Sequence, residues 1–301
     1  MTNLAFILLM QYVVSTKAGM VNHVEGNVSL KATESAAAGV PIATGPGGYA
    51  EILLHPGSFL RLGENSQAAI DNVDLDNIVV RTISGESIIE VTEMDDDFPI
   101  TVTSRNLTVE IVQSGLYRFE DGRASVLSGR IRTKGTAISY KKGWAVFSPT
   151  GGVRATKLAK NVKPTSLDIW SKNRSGLIAN ANVDTVQTFL DNRSSSAWEQ
   201  VITTGRSWVW IPQIGIWTYM PGSRVHSPYG YRYRGSSEYL PTVNDQFSVT
   251  SDNSATERNG TLQQTQPVYN GSGSNSAPVS SSPSSGERAG SKNELIPATV
   301  Q

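Results

Sequence analysis

Three histidines, His23, His55 and His226, are the side chains best suited to proton transfer near neutral pH, and they stand far apart in the chain. None lies in a nucleophile-elbow or zincin pattern. His226 adjoins Ser227, but adjacency in sequence does not make a catalytic dyad. Cysteine is absent, which removes thiolate chemistry and disulfides. Glu90, Glu93, Asp95, Asp96 and Asp97 crowd together between two strand-like segments. Clustered carboxylates can hold Ca²⁺ through oxygen ligands, but EF-hand spacing is missing. A solvated turn that discourages edge pairing is the simpler reading. Gly45, Gly47 and Gly48 are followed by no Lys-Ser/Thr and open no helix, so they read as a strand-to-strand turn and not as a phosphate loop. The expectation is a non-enzymatic protein with no catalytic, cofactor or metal residues.

Recognition chemistry is concentrated in one place. Gly205-Arg-Ser-Trp-Val-Trp-Ile-Pro is followed by Ile214-Gly-Ile-Trp-Thr-Tyr-Met-Pro, and then by His226-Ser-Pro-Tyr-Gly-Tyr-Arg-Tyr. Two aromatic strands ending in Pro read as a hairpin or edge pair. Trp208, Trp210, Trp217, Tyr219, Tyr229, Tyr231 and Tyr233, with Arg232, form the candidate binding surface, because aromatics stack on sugars and dominate protein hot spots. Arg224 and Arg234 flank it. The same alternation fits a small core covering the edge of a β-domain, so both uses stay open.

The elements that must position these residues are mostly strands. Apolar pairs recur at Ile52/Leu54, Leu60/Leu62, Ile89/Val91, Ile100/Val102, Val109/Ile111, Tyr117/Phe119 and Ala124/Val126, with turn residues between them. Period-2 apolarity of this kind marks half-buried strands on a shared core. Nine segments start near Tyr49, Ser58, Gln67, Ile78, Ser87, Ile100, Leu107, Leu116 and Arg123. An all-β domain over residues 19–160 follows, as a short β-roll or solenoid or a twisted two-sheet sandwich. Residues 161–195 read as a helical segment capped by Thr165 or Ser166, with Leu167, Trp170, Leu177, Ile178 and Ala181 near one face. Gly176 weakens its middle, and Asn182–Asp184 breaks it before a second short helix at Thr185–Leu190. The aromatic hairpin spans 196–234. Residues 235–301, rich in Ser, Gly, Asn and Pro, carry too few apolar side chains to offset ordering entropy and are expected to be disordered.

Leu4–Val14 is an apolar run followed by Ser15, Thr16, Ala18 and Gly19. It reads as a secretory signal over residues 1–18 with a cut after Ala18, and it is short for a span of about 20 residues. Export would place the protein in the periplasm or outside the cell. The formal net charge is zero, which argues against a nucleic-acid partner.

Taken together, Gly26-Asn-Val-Ser-Leu, Val40-Pro-Ile-Ala-Thr-Gly-Pro-Gly-Gly-Tyr-Ala-Glu-Ile-Leu-Leu and Pro56-Gly-Ser-Phe-Leu-Arg-Leu-Gly-Glu-Asn-Ser resemble a bacterial FecR-type domain. Ser84-Gly-Glu-Ser-Ile-Ile-Glu-Val, Pro99-Ile-Thr-Val-Thr-Ser, Gly115-Leu-Tyr-Arg-Phe, Ile169-Trp-Ser-Lys-Asn-Arg and the Ser-Pro-Tyr-Gly-Tyr segment extend the resemblance to about residue 233. The resemblance implies an all-β, extracytoplasmic and non-enzymatic domain. In the family, such domains relay signals from an outer-membrane receptor to a sigma factor. The helices that bind the sigma factor and an internal membrane helix are missing from the pattern. The role that carries over is a protein-binding or scaffold module of the envelope, with an unknown envelope protein or a glycan, including peptidoglycan, as partner.

Overall fold

The computed structural model describes residues 17–149, 152–161, 163–191 and 206–239, the side chains of 188–191 excepted. The signal segment 1–16 and the tail from 240 lie outside the described residues. All nine expected segments are strands, each beginning within one residue of the position the alternation marks.

These strands form two sheets. The first is antiparallel throughout and runs β1 (Val21–Glu25), β3 (Tyr49–Leu53), β4 (Ser58–Leu62), β7 (Glu86–Val91), β10 (Gly115–Glu120), β11 (Arg123–Ser128), β14 (Trp144–Phe147) and β15 (Arg154–Lys157). The second runs β13 (Ser139–Lys141), β12 (Arg130–Thr133), β9 (Leu107–Ile111), β8 (Ile100–Ser104), β6 (Val79–Ser84), β5 (Gln67–Asn72) and β2 (Ile42–Ala43). Only β6 and β8 pair in parallel among the described strands, because β7 between them belongs to the other sheet. Alternate residues of both sheets meet in one core: Ile52, Leu60, Ile89, Phe119 and Val126 from the first, Ile70, Val80, Val102, Val109 and Ile131 from the second. The architecture is therefore the two-sheet sandwich.

At one edge the chain passes directly from the first sheet into the second. Strand β11 continues into β12 through Gly129, whose φ is 85°. A Cβ there would lie 2.1 Å from the Tyr117 hydroxyl, so only glycine fits. That hydroxyl accepts the Arg130 N–H at 3.0 Å and donates to the Gln113 carbonyl. The corner is thus pinned by a buried phenol whose pKa burial raises.

The outer face of the first sheet carries a second layer. Helix α1 (Ser166–Asp191) is one continuous helix, and its start is a reciprocal cap. Thr165 Oγ1 accepts the Asp168 N–H at 3.2 Å, and the Asp168 carboxylate accepts the Thr165 N–H at 2.8 Å. The expected break at Asn182 does not occur, since that side chain is buried and bonded to neighbouring strands. Of the expected stripe, Leu167, Ile178 and Ala181 are buried and Trp170 is half-buried, but the buried stripe also takes in polar residues. It runs Leu167, Ser171, Arg174, Ser175, Ile178, Asn182 and Val186, whereas Leu177 is 44% exposed. Beside the helix, β16 (Ser207–Ile211) and β17 (Ile216–Met220) form the aromatic hairpin, followed by the pair β18 (Val225–His226) and β19 (Arg232–Tyr233).

Two expected boundaries shift. Ala18, read as the last residue of the leader, packs in the core and donates its N–H to Val73 at 2.7 Å. Gly235–Tyr239, read as the start of the tail, is structured. Ser236–Tyr239 is a 3₁₀ turn, and Glu238 pairs with Arg224 at 3.0 Å.

Candidate functional site: a buried charge cluster and the groove beside it

Strands β3, β4 and β7 each place one charged residue on the face that meets α1. Glu51 lies directly across from Arg61, and Glu90 pairs in register with Phe59, two residues away on the same strand. All three are fully buried. Arg61 Nε donates to Glu51 at 2.8 Å, and its Nη1 donates to Glu90 and to Ser171 Oγ of the helix. Arg174 reaches from the helix to the other Glu51 oxygen at 2.8 Å, and Ser175 donates to Glu90 at 2.8 Å. Two carboxylates and two guanidiniums balance, which is what burial of charge requires.

The two carboxylates differ. Burial alone would raise the Glu51 pKa, but the Arg174 and Arg61 guanidiniums outweigh it and hold the group at about 2. Glu90 shares a single arginine, and burial pushes its pKa up. The Arg61 pKa is raised, because Glu90 and Glu51 more than offset its desolvation. Such a cluster fixes the helix over the sheet. Among the described residues no group of three or more His, Asp or Glu could hold a metal ion.

Asn22 extends the cluster to the aromatic hairpin. Its amide donates to Glu51 at 2.9 Å and to the Trp217 carbonyl at 3.1 Å, and its oxygen accepts the Trp217 N–H at 2.7 Å. Asn182 does the same on the far side, donating to the Tyr219 carbonyl at 2.9 Å and accepting the Arg234 N–H at 2.7 Å.

The eight residues read as a binding surface divide accordingly. Trp208, Trp217, Tyr219 and Tyr233 are buried with Leu53, Phe59 and Ile178, so these four are core. The reason is physical: large aromatic area sits over apolar residues on the outer sheet face, and Trp208 meets Phe59 edge-on with ring centres 5.1 Å apart. Trp210, Tyr229 and Tyr231 are half-buried and Arg232 is exposed. Of the acidic cluster, Glu90 belongs to the ion network and Glu93 accepts the Tyr219 hydroxyl. The solvated-turn reading therefore fails for Glu90. The three histidines remain apart: His23 pairs with Glu25 and His226 is exposed.

A groove of about 770 Å³ opens where the helix leaves the outer sheet face uncovered. Ser125 and Leu127 of β11 floor it. Ile169, Lys172 and Asn173 of α1 form one wall, with Lys163, Tyr229 and Tyr231 around it. Tyr229 is braced by Ser171 at 2.9 Å, and burial raises its pKa to about 12. Tyr231 lies against Gly176, where a Cβ would come within 2.9 Å of the ring; the helix glycine is a seat for this tyrosine. Arg118 also lines the groove but is committed to Glu86 and Asp168. Ile169, on the rim, is 56% exposed. Sequence reasoning found Tyr229 and Tyr231 and missed Ile169, Lys172 and Asn173, whose signal is an apolar residue on the polar side of a helix.

No family model and no curated protein matches the chain. Two solved structures from Parabacteroides distasonis ATCC 8503, each described as a "putative anti-sigma factor", match part of it. One is 17% identical over 40% of this chain and 60% of its own, with a TM-score of 0.33. The other is 15% identical over 46% and 65%, with a TM-score of 0.34. The chain thus spans less than two thirds of either structure. Similarity at this level assigns no role to any residue here.

Proposed function

We propose that the chain is a non-catalytic binding module of a bacterial cell envelope, with the groove beside α1 as the seat for a partner protein. The carrying observation is the groove itself. Exposed Ile169 and half-buried Tyr229 and Tyr231 offer apolar contact, Lys163 and Lys172 offer charge, and the two tyrosines are held in place by Ser171 and Gly176 of the helix. Apolar anchors inside a polar rim suit an extended peptide segment with acidic side chains. The resemblance to FecR-type domains and the apolar N-terminal run support an extracytoplasmic setting, with a role in signalling as the finer reading.

A photo-crosslinking residue at Asn173, with one at Arg105 as the remote control, tests this in envelope extracts. The expected result is a discrete adduct from position 173 alone, lost on Tyr231→Ala. Equal labelling from both positions, or none from 173, rules the groove out. A glycan titration read by tryptophan fluorescence addresses the alternative. Tyr231 presents part of its ring, the feature a sugar would use, and Trp210 reports from the neighbouring hairpin.

A further inference from the structure

The zero net charge conceals a segregation. From Glu64 to Asp121 the chain carries thirteen carboxylates against three arginines; from Gly122 to Arg174 it carries twelve Lys and Arg against one carboxylate, Asp168. The basic segment folds into one edge of the sandwich. Strands β11, β14 and β15 close the first sheet there, and β12 and β13 close the second. Arg132 pairs with Glu110 and Arg174 is buried with Glu51. The other ten, Arg123 to Lys172, are all exposed and make no ion pair among the described residues.

We propose that this edge seats the protein on an anionic lipid bilayer. Two further observations favour a membrane over other polyanions. The hairpin turns at the two ends of the basic ribbon each carry an exposed aliphatic residue, Ile138 at 57% and Val153 at 42%. Apolar tips among cations match an interface of hydrocarbon and phosphate, and such binding needs both signals together. Conversely, two aromatic rings along the ribbon are each covered on one face by the protein's own cations. Lys157 Nζ lies 4.0 Å from the centre of the Trp144 ring, and Arg123 lies over Phe147. Those faces are therefore not presented for stacking on sugars or bases. A few lysines on an edge strand deter strand pairing; ten cations without an ion pair, spread over four strands, their turns, a connecting loop and the helix, exceed that need.

The basic edge shares Lys163 and Lys172 with the groove, but it is tested through residues that do not line the groove. Its test is co-sedimentation of the full chain with phosphatidylcholine vesicles, with and without about a third phosphatidylglycerol. Expected is binding to the anionic vesicles that weakens as salt rises. The variant Lys141→Glu/Lys142→Glu/Arg154→Glu alters only exposed, unpaired side chains, and a thermal melt verifies its fold. Its affinity is expected to fall by about tenfold or more. Ile138→Ser with Val153→Ser is expected to cost roughly threefold or more without changing the salt slope. Leu4–Val14 is present in every sample, so background adsorption through it cancels. Equal binding to neutral vesicles, no effect of the charge reversals, or binding to duplex DNA or an acidic polysaccharide with none to vesicles overturns the proposal. In each of those outcomes the crosslink at position 173 is unaffected.

Discussion

The two faces of the eight-stranded sheet solve the same burial problem with opposite materials. The inner face meets the second sheet mainly through aliphatic and aromatic side chains, with small hydroxyls such as Ser87 and Thr82 as its buried polar groups. The outer face meets α1 through Glu51, Arg61, Glu90, Arg174, Ser171 and Ser175, with apolar residues around them. An apolar core tolerates many arrangements of similar volume. A buried ionic layer permits one, because any slide of the helix leaves charges unpaired. The inner face supplies cohesion, and the outer face supplies position.

Substitutions sharpen this contrast. Arg61→Ala leaves buried Glu90 with no guanidinium and Glu51 with Arg174 alone, and is expected to cost about 3–5 kcal/mol in urea unfolding. A loss under about 1 kcal/mol would mean that the layer is wet rather than buried. Leu60→Ala on the inner face is expected to cost about 2–5 kcal/mol by cavity formation, but to leave the helix in register. Hydrogen exchange separates the two: Arg61→Ala releases α1 amides selectively, and Leu60→Ala lowers protection throughout. Asn182→Ala leaves the Tyr219 carbonyl and the Arg234 N–H unpaired, for an expected loss of about 1–3 kcal/mol. Acid titration distinguishes the two glutamates. The folded pKa of Glu51 is lowered from 4.5 to about 2, so its contribution is full above 4.5 and is lost as pH falls toward 2. Glu90 is shifted upward, so its protonation as pH falls toward 4.5 favours the folded state. Glu51→Gln is expected to flatten the acid limb of a plot of melting temperature against pH, and Glu90→Gln the limb above it. The smallest effect belongs to Arg105→Ala, which breaks an exposed pair with Asp121 and is expected to change stability by about 1 kcal/mol or less.

The inner face was legible in the sequence because alternation is visible wherever water lies on the polar side. The nine strands follow from it; the choice of a sandwich over a β-roll comes from the sheet pairing. The outer layer was hidden because Glu51, Arg61 and Glu90 occupy positions that alternation assigns to solvent. The clue lay in their neighbours: Leu53, Phe59, Ile88 and Leu116 are apolar on that same outward face. A sheet apolar on both sides is covered on both sides, and a charge set among such residues must be paired. The helix hid its inward stripe in the same way. Ser171, Arg174, Ser175 and Asn182 are polar and buried, while apolar Ile169 and Leu177 face outward. Strands β12, β13 and β15 escaped notice because they are short and carry lysine and arginine, and β14 because it is only four residues long. For the aromatic segment, periodicity alone could not choose between core and surface. The apolar floor offered by Leu53 and Phe59 decides for Trp208, Trp217, Tyr219 and Tyr233.

Asn22 has a consequence for how the chain is made. Its amide joins the first strand to a residue 195 positions later, at Trp217. During synthesis from the N-terminus, the two sheets can close long before that residue has left the ribosome. The outer layer cannot. Until helix α1 has emerged, the nascent domain carries Glu51, Arg61 and Glu90 uncovered and wet, and until the hairpin follows, Asn22 lacks its Trp217 partner. The last event of assembly is then a drying step, in which helix and hairpin settle together and bring the two ends of the described fold into register.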